Sequence, residues 1–268
     1  MSSLKSYDLA FEDTTIRVWE GGSGFPLVLM HGSGAGCGTF SNYSAVVDSL
    51  TDCFHVLATD MVGYGQSGRK AREPYFDMDT WIRQMQFLMQ RFGGQQVGLI
   101  GHSLAGAIAL KVAALDNLTA GIVATGTMGS HIRREGRGWA FPKDRAAILQ
   151  HIENTLFDKS LVPPGEVEER ARVLYAPGYE DYFRRMFSEE AQVYFDLSAL
   201  SADELRNIDC PVLLIHGKND RFAAPEETSI PLARDIPQAD ALILGRCAHS
   251  VALEYPTTFV SEVRRMFG

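Results

Sequence analysis

Ser103 carries more chemical information than any other residue in this 268-residue chain. It stands in Val97-Gly98-Leu99-Ile100-Gly101-His102-Ser103-Leu104-Ala105-Gly106, where an apolar run gives way to a small-residue helix start. A strand that turns this sharply into a helix holds one side chain out at the top of a sheet. Gly101, Ala105 and Gly106 are the small neighbours that such a turn tolerates. Asp220 follows the apolar run Val212 to Gly217, and His249 follows Ala241 to Gly245. A serine, an acid and a histidine, each after a strand, can carry out nucleophilic acyl transfer. The histidine takes the serine proton, and the acid fixes the imidazole tautomer and stabilises the imidazolium. An isolated Asp220 would be read as a surface loop residue paired with Arg221; its place in the pattern argues against that. A zinc site built from Cys247 and His249 lacks companion ligands at suitable spacing, so no metal is expected.

The chain order Ser103, Asp220, His249 resembles that of the α/β-hydrolases. In that fold the loop after an early strand supplies one N–H of the oxyanion hole. Here the loop is His31-Gly32-Ser33-Gly34-Ala35-Gly36-Cys37-Gly38. Ser33 and Leu104 are the expected oxyanion donors, and Gly32 and Gly34 let the backbone approach a substrate. A dinucleotide-binding loop is the competing reading. Its G-x-G-x-x-G spacing fails, because Cys37 or Thr39 stands at the third glycine position. Among the other histidines, His31 and His216 close strands and are expected to bond backbone. His102 flanks the nucleophile and either lines the pocket or is structural. His55, His131 and His151 have no motif around them. Asp60 to Gly68 reads as a loop near the site or, more simply, as a turn that braces it.

These residues need a sheet to position them. Leu27 to Met30, Val56 to Ala58, Val97 to Ile100, Gly121 to Ala124, Val212 to Ile215 and Ala241 to Leu244 are short apolar runs of the kind buried parallel strands show. Thr15 to Glu20 alternates, as a half-exposed edge strand does. Segments of helical period lie between the runs at Tyr43 to Leu50, Met78 to Phe92, Leu104 to Leu115, Ile230 to Asp235 and Thr257 to Phe267. The expected fold is α/β, a mostly parallel sheet with helices on both faces. From Gly129 to Ala202 the alternation stops, and helical patterns run from Lys143 to Leu156, Glu166 to Leu174 and Tyr179 to Tyr194. Residues 129–202 are expected to form a helical cap on a core of residues 1–128 and 203–268. Of its residues Trp139, Phe141, Phe183, Met186, Phe187, Tyr194 and Phe195, most are expected to be core and two or three to touch a ligand. Arg133, Arg134 and Arg137 read as a solvated turn.

A formal charge of −8 argues against nucleic acid or an anionic membrane surface as partner, and requires a local cation for any anionic substrate. Four cysteines without C-x-x-C spacing read as free thiols in a reducing compartment. The N-terminal stretch Met1 to Asp8 has no apolar signal core, so the expected location is the cytoplasm. A homo-oligomer is compatible with this composition.

Within the α/β-hydrolases the chain is similar to the meta-cleavage product hydrolases, which cut carbon–carbon bonds in ring-fission products of aromatic degradation. The likeness lies in His31 to Gly36 with Ser41-Asn42-Tyr43, in Asp60 to Gly65, in Arg170 through Pro177-Gly178-Tyr179 to Phe187, and in Leu244 to His249. It runs from about His31 to Glu254. The resemblance implies that Asn42 holds the dienoate end of the substrate and that Arg170 takes its carboxylate, a task suited to a planar guanidinium fork. Otherwise Arg170 is a surface residue paired with Glu166 or Glu169. The chain departs from the family at Ser250, where a tryptophan is usual, at Ala248, and at Leu104-Ala105. Ser250 would reshape the pocket near the scissile bond. The implied substrate is a small carboxylic acid, with no cofactor. An esterase, lactonase or thioesterase on the same triad is the alternative reaction. A non-catalytic ligand receptor on this fold is the alternative of another class.

Overall fold

The computed structural model describes residues 4–268; Met1 to Ser3 of the N-terminal reading lie outside the described residues. The described strands are β1 (Lys5–Phe11), β2 (Thr14–Gly21), β3 (Phe25–Met30), β4 (Phe54–Thr59), β5 (Val97–His102), β6 (Thr119–Thr125), β7 (Val212–Gly217) and β8 (Ala239–Leu244). They form one sheet in the order β1-β2-β4-β3-β5-β6-β7-β8. β2 runs antiparallel to both neighbours, and β3 through β8 pair in parallel.

The central strands are apolar along their length because both faces are covered. Successive side chains alternate between two cores: Val28, Leu57, Leu99 and Leu214 enter one, while Leu27, Val56, Ile100 and Leu213 enter the other. The helix Met78–Gln90 packs Trp81, Met85 and Leu88 into the first core. Asp77 caps it by accepting the Thr80 N–H at 3.0 Å. The helix Pro256–Phe267 packs Phe259 and Val263 into the second. The helix Leu104–Leu115, which follows the nucleophile candidate, is buried along nearly its whole length. Its Ala, Leu, Ile and Val composition suits a helix with no solvent face.

Four expectations need correction. β1 has no apolar run to mark it; its polar alternation is that of the true outer strand, and it pairs with β2 from Thr14 to Glu20, so Thr15 to Glu20 is not an edge. β8 is the other edge, and Ala241 to Leu244 is accordingly only part-buried. The helix expected from Tyr43 to Leu50 is two short ones, Thr39–Tyr43 and Val47–Thr51. That expected from Tyr179 to Tyr194 breaks into Tyr179–Met186 and Ala191–Ser198. At the break the Tyr194 hydroxyl accepts the Glu189 N–H at 2.7 Å and Glu190 forms a bridge with Arg137, so backbone groups there are satisfied outside a helix.

Between β6 and β7 an irregular stretch of residues 126–144 leads into a run of helices that begins with Arg145–Asn154 and Glu166–Leu174. Phe183, Phe187 and Tyr194 from this insertion join Phe76 and Trp81 in the first core. The insertion is therefore seated on the sheet's helices by aromatic packing.

Candidate active site

β3 and β5 are neighbours, but the chain leaves them in opposite directions, toward β4 and toward β6. The loops after such a pair diverge and open a crevice at the carboxyl edge of the sheet. Gly32 and Ser33 follow β3, and Ser103 follows β5. Asp220 comes three residues after β7, and His249 lies on the loop after β8.

Ser103 has φ 56° and ψ −118°, a backbone conformation that costs an L-residue on the order of 1–3 kcal/mol. Three bonds hold it there. Its N–H donates to Thr125 O at 2.9 Å, and its carbonyl accepts the N–H groups of Gly106 at 3.0 Å and Met128 at 3.1 Å. Gly101 is required by the same turn, since a Cβ there would stand 2.3 Å from Ala105 O. Gly32 passes so close that its Cβ would lie 3.0 Å from Ser103 Cβ.

Asp220 is buried, not a surface partner of Arg221. Its Oδ2 accepts His249 Nδ1–H at 2.6 Å, and its Oδ1 accepts the Phe222 and Ala223 N–H groups. With Nδ1 donating, His249 keeps Nε2 as its basic nitrogen. A second imidazole shares the carboxylate, because His216 Nε2 donates to Oδ2 at 3.0 Å while its Nδ1 accepts the Ser229 hydroxyl at 2.6 Å. His216 thus bonds side chains rather than the backbone expected for it. Burial would raise the Asp220 carboxyl, but the His249 charge and the two imidazole bonds outweigh it and hold the group far below the usual carboxylate range.

Ser103 and His249 line one cavity of about 440 Å³, together with Gly32, Ser33, Gly34 and Asn42. That size suits a small organic ligand. Among the described residues, neither Ser33 nor Leu104 N–H has an acceptor in the loop and turn bonds. Asn42 Oδ1 accepts the Gly32 N–H at 3.0 Å, which fixes the glycine loop and leaves its amide nitrogen for a ligand. His102 also lines the cavity, with its ring edge-on to His249 at 4.6 Å and Nδ1 at 3.0 Å from Thr125 Oγ1. Burial, then the His249 charge, pushes its pKa well down, so it packs as a neutral ring.

Arg170 is neither exposed nor a lone cation. It is buried, pairs through Nε with Glu166 Oε1 at 2.6 Å, and lines the cavity. Ser250 lines it too, and its hydroxyl donates to Thr155 Oγ1 at 2.9 Å. Of the insertion's aromatic residues named in the sequence, Trp139 and Phe195 reach the cavity, while Phe141 packs on Phe183. Arg133 and Arg137 are exposed, as expected of a solvated turn, but Arg134 and Arg137 also line the cavity; Arg134 is held by Glu227 at 2.8 Å and lies over the Phe195 ring. His151 lines it without having been singled out, since no neighbouring residue type marked its helix as part of a site. Asp60 braces the loops, accepting N–H groups of Thr39 and Gln66 at 2.7 Å each, and burial raises its pKa to about 6 despite them.

A mostly parallel sheet with this crevice at its carboxyl edge defines an α/β protein with a ligand site above the strands. The chain belongs to the alpha/beta hydrolase fold family, whose model matches residues 26–256. It is 31% identical over 248 residues to a 2-hydroxymuconate semialdehyde hydrolase of Pseudomonas sp. strain CF600, covering 91% of this chain and 87% of that one. It is 29% identical to a 2-hydroxy-6-oxo-2,4-heptadienoate hydrolase of Pseudomonas putida strain F1, covering 90% and 88%. Among solved structures, a meta-cleavage product hydrolase from Pseudomonas fluorescens IP01 shares the fold with a TM-score of 0.88, at 24% identity and 97% coverage of each chain. No helix among the described residues is long and apolar enough to cross a membrane.

Proposed function

We propose that this enzyme hydrolyses a carbon–carbon bond in 2-hydroxy-6-oxo-dienoates, releasing a 2-hydroxydienoate and a carboxylic acid. The observation that carries the reading is Arg170, a buried cation on the cavity wall of a chain with net charge −8. Glu166 pairs the guanidinium through Nε, Nη1 has only a long 3.5 Å contact to Ala35 O, and the residue lines the cavity. The curated relatives, which act on such dienoates by name, support the same substrate class.

In this scheme Arg170 and Asn42 bind the dienoate end, and the dienol ketonises at carbon 5. Ser103 attacks the carbon 6 carbonyl as His249 Nε2 takes its proton, with Asp220 steadying the imidazolium. The Ser33 and Leu104 N–H groups receive the oxyanion. The bond between carbons 5 and 6 breaks, its electron pair passing to the conjugated 2-oxo acid. Water activated by His249 then frees the acyl group from Ser103. Residues 129–202 act as the cap that brings Arg170 to the site, on a core formed by 1–128 and 203–268. The four unpaired cysteines support a reducing compartment, the cytoplasm.

The test is a spectrophotometric panel of yellow ring-fission products against p-nitrophenyl esters and lactones, with wild type and Ser103→Ala. The expected result is dienoate cleavage lowered by several orders of magnitude in the variant. Brisk ester turnover with no dienoate cleavage would identify an esterase instead, and no turnover of any substrate would identify a receptor.

A further inference from the structure

Gly34 lines the cavity where the wall leaves no room for a side chain of its own. A Cβ at this position would stand 2.7 Å from Cys37 Sγ, 3.4 Å from Arg170 Nη1 and 3.6 Å from His151 Nε2. A cation and an imidazole from two different helices, Glu166–Leu174 and Arg145–Asn154, thus converge on one point beside the glycine loop. Neither nitrogen of His151 has a hydrogen-bond partner among the described residues; its ring contact is with Phe222, at 6.2 Å between centroids. Burial, reinforced by the charges of Arg170 and His249, lowers its pKa to about 4. The ring is therefore neutral at pH 7, with one donor and one acceptor nitrogen. The residue is half-buried and lines the cavity, so its nitrogens are open to a ligand there.

We propose that His151 hydrogen-bonds the oxygen on carbon 2 of the substrate, next to the carboxylate held by Arg170, and so selects 2-hydroxy and 2-oxo acids over plain carboxylic acids. The inference rests on the assignment of Arg170 as the carboxylate site. A neutral imidazole fits this task better than a second cation. It can accept from the hydroxyl of the dienol or donate to the carbonyl of the ketone, the two forms between which the substrate passes. An imidazolium or an arginine offers no acceptor for the proton of the dienol hydroxyl.

The experiment measures inhibition of p-nitrophenyl acetate hydrolysis by 2-oxopentanoate and by pentanoate, which differ only in the oxygen at carbon 2. The readout is the ratio of the two inhibition constants, so a change in ester turnover does not disturb it. In the wild type, 2-oxopentanoate should bind about 10-fold tighter, the worth of one good hydrogen bond. His151→Phe should bring the ratio to about 1, and His151→Gln, which keeps a donor and an acceptor, should restore part of it. A wild-type ratio near 1, or a full ratio retained in His151→Phe, would overturn the proposal. If His151→Phe fails to fold, the wild-type and His151→Gln ratios decide. Inhibition by neither acid would defeat both this inference and the Arg170 carboxylate site. A discriminating wild type that nevertheless fails to cleave dienoates would leave His151 assigned and remove only the reaction.

Discussion

The carbonyl oxygen of Thr155 accepts the backbone N–H of His249 at 3.0 Å, and that of Ser250 at the same distance. Thr155 ends the helix Arg145–Asn154 of the insertion, so the loop carrying the candidate base is anchored to the insertion rather than to the sheet alone. Glu254 makes a second tie: one carboxylate oxygen accepts the N–H groups of Phe157 and Asp158, and the other accepts that of Ala248 at 2.6 Å. The insertion thus has two functions, lining the cavity and setting the position of His249.

Glu254→Ala should therefore damage catalysis without touching the cavity. Losing charged hydrogen bonds of about 1.5–3 kcal/mol each should cost at least about 2 kcal/mol, a fall in Tm of roughly 4–8 °C. We expect kcat to fall about 10-fold on dienoates and simple esters alike, because the base is displaced for both. A stability loss with unchanged kcat would show that the His249 loop holds its place unaided.

Arg170 cannot be tested by simple truncation, since that strands Glu166 uncompensated in a buried position, at a cost of about 3–5 kcal/mol. The double variant Arg170→Met with Glu166→Gln removes both charges. Its ratio of dienoate to p-nitrophenyl ester kcat/KM should fall roughly 10- to 100-fold, the range for a charge-assisted hydrogen bond. An unchanged ratio would make Arg170 a purely structural residue.

Ser250→Trp should fill part of the cavity and remove the hydroxyl bond to Thr155. Preference should shift toward smaller acyl groups, with an overpacking cost of about 1–3 kcal/mol. Equal relative rates across an acyl series would place this side chain outside the acyl pocket.

His31 is fully buried, with Nδ1 at 2.7 Å from Gly32 O and Nε2 accepting the Met61 N–H. Burial lowers its pKa from 6.5 to about 4. Between those values the unfolded chain binds a proton that the folded chain refuses, so stability is full above pH 6.5 and falls as the pH drops toward 4. Its contribution to the slope is about 1.4 kcal/mol per pH unit. His151 acts in the same direction, while Asp60, raised to about 6, opposes them by favouring protonation in the fold. Chemical denaturation at pH 4.5, 5.5 and 6.5 should show a shallower slope for His31→Gln than for wild type. Parallel slopes would refute the assignment.

The strand runs, the turn at Ser103 and the loops carrying Asp220 and His249 were legible in the chain, because apolar periodicity and a glycine-flanked serine are local properties. So was the mostly parallel sheet, since covered strands need apolar residues on both faces. β1 escaped because an outer strand needs no such run, and β8 was misjudged as buried for the same reason: edge position is set by pairing order, which no short window contains. The environment of each site residue was also beyond the sequence. Whether Arg170 faces solvent or a cavity, whether His216 bonds backbone or Asp220, and whether His151 belongs to the site depend on which helix faces lie against the glycine loop. The contacts of Gly34 with Arg170 and His151 join residues more than a hundred positions apart, and only the folded chain brings them together.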